Sequence, residues 1–137
     1  MFRGTIFILL VLFSISCGKN RTTIPNVLVD ITVNINNPSY MNLTVVGGYM
    51  YFSGGSRGII AFRKSTDEFN AFDRHCPYEA EETCGILSIQ SDNVTMKCAC
   101  CASVFSLYDG ALIAGPASQP LRRYTTTFDG ATLRIYN

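Results

Sequence analysis

Alternation is the feature that most limits what this chain can become. Val29, Ile31, Val33 and Ile35 occupy every second position, with Asp30, Thr32 and Asn34 between them. A period of two is the signature of a strand with one face buried and the other wet. The pattern returns near the other end. Tyr124, Thr126 and Phe128 run into Asp129-Gly130, and Ala131, Leu133 and Ile135 follow on alternate positions, which predicts a β-hairpin. Residues 43–46 and 49–52 flank Gly47-Gly48 and predict a second one. Residues 59–62, 69–72, 86–89, 94–97 and 104–107 read as further short strands, and the glycine-rich segment 53–58 reads as a loop. Only residues 64–70 have room for a helical turn. No repeat or low-complexity tract interrupts the series. Many short strands divided by glycine-bearing turns indicate an all-β fold, a sandwich or small barrel.

The first 16 residues stand outside this pattern. Arg3 gives a positive start, and residues 6–13 form an unbroken apolar run that ends in Ser14-Ile15-Ser16-Cys17. The run is too short to span a bilayer and has the anatomy of a secretory signal. A cysteine directly after a small residue resembles a bacterial lipoprotein signal, in which Cys17 becomes the lipidated first residue. Ser14 departs from that pattern, which usually has leucine there. The competing reading is an ordinary signal peptide cut near Ser16, with Cys17 an incidental thiol. The expectation is a protein of the bacterial cell envelope, on the periplasmic or outer-membrane side. Its membrane partner is reached through several acyl chains on Cys17, since one chain alone holds weakly. Residues 1–16 are then the signal peptide, 17–25 a lipid-anchored polar tether, and 26–137 the β domain.

That mature length makes one domain with a normal core. One of the eleven basic residues, Arg3, falls in the signal, leaving ten basic against ten acidic. No basic run is longer than Arg122-Arg123. Neither nucleic acid nor an electrostatic grip on anionic lipid is expected.

Five cysteines remain beside Cys17: Cys76, Cys84, Cys98, Cys100 and Cys101. An exported protein favours disulfides, but five is an odd number. Cys98 and Cys101 have the spacing that lets one tight turn offer two thiolates to one centre, and Cys76 upstream completes a three-sulfur site. A thiol–disulfide enzyme using Cys98 and Cys101 is a weaker reading, because that motif belongs at a helix start. His75 is the only histidine, and extended backbone turns it away from the side of Cys76. It reads as a solvated side chain, with a metal ligand as the sharper alternative. Tyr78 reads either as a packing residue or as a phenolate ligand, which a pKa near 10 disfavours.

Residues 72–77, Phe-Asp-Arg-His-Cys-Pro, and 98–103, Cys-Ala-Cys-Cys-Ala-Ser, resemble the two cluster loops of Rieske iron–sulfur proteins, C-x-H and C-x-C-H-G-S. Residues 105–110 resemble the aromatic and turn that follow the second loop. Gly115-Pro116-Ala117, then Pro120-Leu121 and Tyr124, resemble the proline loop covering the cluster and the strand leaving it. The resemblance covers about 43–137 and is strongest over 71–124. It implies a Rieske-like antiparallel sandwich or small barrel with an inserted two-loop cluster-binding subdomain at about 73–117. It also implies that Cys76 and Cys98 take the positions of the inner-iron cysteines, and that Tyr78 and Cys101 stand in for the two histidines. Cys84 and Cys100 fall where the respiratory branch has a disulfide. Ser103 matches a serine that hydrogen-bonds a cluster sulfur, and Pro116 belongs to the covering loop.

The function implied is electron transfer to a redox or envelope protein partner. Its centre is a variant [2Fe–2S] cluster or a single iron or zinc held by Cys76, Cys98 and Cys101, with Tyr78 or His75 as the candidate fourth ligand. A cluster with a thiolate in place of neutral imidazoles should have its potential lowered toward about −400 mV. The alternative is a metal-free, disulfide-stapled binding or structural module. No catalytic triad, phosphate loop or carboxylate pair accompanies the cysteines, so direct catalysis is not expected.

Overall fold

The computed structural model describes residues 24–78 and 80–137. The expected signal peptide, Cys17 and most of the tether lie outside the described residues. Among the described residues, ten strands and one 3-10 helix follow one another. They are β1 (Asp30–Asn34), the helix Pro38–Thr44, β2 (Tyr49–Phe52), β3 (Ile59–Arg63), β4 (Phe69–Asp73) and β5 (Leu87–Ile89). After these come β6 (Thr95–Cys98), β7 (Val104–Ser106), β8 (Leu112–Ala114), β9 (Arg123–Phe128) and β10 (Thr132–Tyr136). A six-stranded sheet has the order β1-β10-β9-β4-β3-β2, and a four-stranded sheet the order β5-β6-β7-β8. Every pairing is antiparallel. The small sheet is an insertion, because its four strands lie in the chain between neighbours β4 and β9.

The central strands explain why the sequence alternates at its ends and not in its middle. All five residues of β3 and all five of β4 are buried. A strand covered on both faces reads as a continuous apolar run. Ile59, Ala61, Phe69 and Ala71 join Val33, Leu133 and Ile135 in one core. Ile60, Phe62 and Phe72 face the other way and pack with Cys76, Leu87, Met96, Cys98 and Phe105 in a second. This second core seats the small sheet on the large one. Asn70 fastens the contact, donating from Nδ2 to the carbonyls of Leu107 and Tyr108 at 2.9 and 2.7 Å.

Three local expectations need correction. Residues 43–46 are not a strand: 43 and 44 end the 3-10 helix, which Pro38 opens behind an Asn37 cap that accepts the Ser39 N–H at 3.0 Å. Arg63 takes the ladder's place as donor, its Nη1 reaching the carbonyls of Leu43 and Thr44 at 2.9 Å each. The helical turn allowed at 64–70 is instead the tight β3–β4 connection, closed by the Lys64 N–H to the Glu68 carbonyl at 2.9 Å. The final hairpin is present, but Phe128 pairs with Leu133, so Gly130 and Ala131 are the central turn residues. Ile24 and Pro25, at the end of the expected tether, are held on the domain by Arg122, whose Nη1 donates to their carbonyls at 3.1 and 3.0 Å.

Candidate metal centre

Two loops of the small sheet's end build the site. The first leaves β4 at Asp73 and returns to β5. Its base is fastened by the Cys76 N–H to the Gly85 carbonyl at 2.9 Å and by a bridge between His75 and Ile86. The second joins β6 to β7. It is a tight turn, closed by the Cys98 N–H to the Ser103 carbonyl at 2.9 Å and the Ala102 N–H to the Cys98 carbonyl at 3.1 Å. Ala102 reaches a φ of 59° to close it. A left-handed conformation costs a non-glycine residue about 1–2 kcal/mol, and strain of this kind gathers at functional sites. Cys84 and Cys100 form a disulfide that joins the two loops, the pair implied by the resemblance.

With the loops so held, the sulfurs of Cys76, Cys98 and Cys101 all lie within 4.8 Å of one another. Cys76 and Cys101 are 3.6 Å apart. Cys76 and Cys98 are 0% and 1% exposed, whereas Cys101 is half-buried. Ser103 is buried beside them. Its Oγ accepts the Ala117 N–H at 3.1 Å and lies 3.1 Å from Cys101 Sγ, which leaves its own O–H to donate to an ionised Cys101. Gly115 makes room for this, since a Cβ there would stand 2.5 Å from Ser103 Cα. Pro116 beside it is exposed. Burial pushes the Cys101 thiol up, but hydrogen bonds from Ser103 and from the Cys98 and Cys76 thiols outweigh it and hold the pKa below the usual thiol value. Three sulfurs, one biased toward thiolate, form a soft donor set suited to a soft or borderline metal.

His75 is neither solvated nor part of this set. It is 4% exposed, and its Nε2–H donates to the Ala80 carbonyl at 2.6 Å. A carbonyl only accepts, so Nε2 carries the proton, and in the neutral ring that burial favours Nδ1 accepts from Ser56 Oγ at 2.7 Å. Both ring nitrogens are thereby used, which removes His75 as the candidate fourth ligand. Burial, first, and the charge of Arg57 lower its pKa. Tyr78 is half-buried and packs against the second core.

The residues that aim the first loop were missed in the sequence. Asp73 is fully buried and accepts four hydrogen bonds. Ser56 N–H and Tyr124 O–H reach Oδ2 at 2.6 and 2.7 Å; His75 N–H and Arg57 N–H reach Oδ1 at 2.9 and 3.2 Å. Arg57 then grips the first loop, donating to the carbonyls of Ala80 and Glu82. Gly55 sits so close that a Cβ would meet Tyr124 Oη at 2.5 Å and Asp73 Oδ2 at 2.6 Å. An acid closing the largely apolar strand 69–72 was the available signal, because a buried carboxylate requires donors.

No family model matches the sequence, and no curated protein matches it. Among solved structures, the ferredoxin of carbazole 1,9a-dioxygenase from Nocardioides aromaticivorans IC177 is similar, with a TM-score of 0.51 at 18% identity. The match covers 80% of this chain and 97% of that one. The fold is Rieske-like. In this Rieske-like frame the trio lies where the inserted small sheet presents its two loops, with the 115–117 segment against Ser103.

Proposed function

We propose that this is a lipid-anchored electron-transfer protein of the bacterial cell envelope, whose electron resides on a metal centre held by Cys76, Cys98 and Cys101. The observation that carries this reading is the convergence of three sulfurs from two separate loops in a Rieske-like fold. It is also supported by a solved structure of similar fold, which is the ferredoxin of a dioxygenase. The donor set fits a metal, because soft sulfurs gather without a competing carboxylate among the described residues. A bound redox metal would supply one-electron chemistry there. Cys76 and Cys98, buried, hold the inner side dry. Cys101 supplies an anionic sulfur on the half-exposed side, and Ser103 orients it. The partner is an envelope protein that meets the Cys101 side.

Protein purified without oxygen should be coloured and contain metal, and Cys101→Ala should lose both. Colourless protein that takes up no metal on reconstitution with iron and sulfide would leave the disulfide-stapled module as the function.

Anchoring is tested separately. Cys17→Ala should move the protein from the membrane fraction to the soluble one. A variant that stays in the membrane after a salt wash would show that Cys17 is not the anchor.

A further inference from the structure

We infer that the centre holds one metal ion, with Cys76, Cys98 and Cys101 at three corners of its coordination shell, and not the two-iron cluster that the Rieske resemblance implies. The inference rests on the reading that the trio binds metal at all. A single tetrahedral ion with metal–sulfur bonds of about 2.3 Å sets its sulfurs about 3.8 Å apart. Cys76 and Cys101 already stand at 3.6 Å, and no pair in the trio exceeds 4.8 Å. One ion closes this set with shifts of about an ångström or less.

The two-iron arrangement asks for something else. The resemblance gives Cys76 to the inner iron and Cys101 to the outer one. Ligands on opposite irons lie at opposite ends of the cluster, with both irons and their bridging sulfides between them. Two sulfurs at 3.6 Å are in contact and leave no such room. The cause lies in side-chain reach, because a cysteine sulfur is bonded directly to Cβ whereas an imidazole nitrogen stands a further bond out. A cysteine at 101 therefore draws its metal in toward Cys76.

Nor can the loops readily part. Cys98 and Cys101 share one closed turn, whose Ala99 N–H is also bound to the Ile86 carbonyl at 3.2 Å. The Cys84–Cys100 disulfide lies between the two ligands of that turn and ties it to the loop carrying Cys76. A four-ligand cluster would further need a second outer ligand. The resemblance gives that place to Tyr78, a phenol whose ordinary pKa near 10 disfavours the ligand form. Among the described histidine, other cysteine and acidic side chains, none joins the three.

Metal and acid-labile sulfide should be counted on the full chain purified without oxygen, and the metal-stripped chain titrated with cobalt(II) alone. The inference expects one metal per chain, no sulfide, and sulfur-to-cobalt charge-transfer absorption that saturates at one equivalent. Cys101→Ala should weaken cobalt binding beyond the roughly 10–100-fold that loss of an outer-shell partner costs. Its circular dichroism, compared with the parent, distinguishes loss of a ligand from loss of the fold. Two irons and two sulfides per chain would overturn the single-ion centre while leaving electron transfer standing. A folded chain that binds neither cobalt nor any native metal would overturn both.

Discussion

Asp73→Ala should lower the free energy of unfolding by about 4 kcal/mol. A hydrogen bond to a charged group contributes about 1.5–3 kcal/mol, and this carboxylate, fully buried, accepts four. The four share one acceptor group, so their contributions do not add in full. Alanine leaves the N–H groups of Ser56, Arg57 and His75 and the Tyr124 hydroxyl to find other partners, and the side chain leaves a void besides. Asn should be little better, since its NH2 would point a donor at donors. Burial of the Tyr124 phenol first, and then its hydrogen bond to Asp73 and the charge there, push it far above its ordinary range, so Tyr124 stays a donor at every physiological pH. Urea unfolding followed by circular dichroism gives the answer. A loss under about 1 kcal/mol would mean that the 53–58 loop does not depend on Asp73.

Removal of the inter-loop disulfide should have the next largest effect. The double variant Cys84→Ala, Cys100→Ala opens a link between residues 16 apart, which on the chain-entropy account stabilises the fold by about 3 kcal/mol. The double variant is the informative one, because a single change leaves a reactive thiol beside the trio. Its unfolding midpoint should fall in oxidising buffer to the value that the parent shows under reductant. Equal midpoints for parent and variant in oxidising buffer would show that the bond adds nothing. Metal affinity should fall as well, since the loop with Cys76 would then be tied to the loop with Cys98 and Cys101 only by main-chain bonds.

Strand identity was legible where one face is wet. Residues 29–35 and 124–135 alternate because one side meets water, and both segments are strands of the large sheet. Residues 43–46 misled because Leu43 is buried through a 3-10 turn, and the Arg63 that satisfies its carbonyl lies 20 residues away. β8 was invisible: three residues, only partly covered, give period analysis too little to read. At the site, the cysteines announced themselves by spacing. His75 did not, because its burial depends on Ser56 and Ala80, which the sequence gives no reason to bring together. Asp73 was hidden for the same reason. Motif spacing reports what a single loop holds, and this hub is assembled from four segments.

The chain leaves the large sheet at β4 and rejoins it at β9, and these strands are hydrogen-bonded neighbours, with Ala71 opposite Tyr124 and Phe72 opposite Arg123. The stem is therefore continuous with or without what is spliced between its two ends, as insertions tolerated by other domains require. For a lineage, such a join separates two kinds of trial. Changes on the stem are judged by whether the protein survives, and changes at the ligand positions of the head are judged by what it carries as well. A ligand loop can then be rewritten, residue by residue, on a frame that does not have to be invented again.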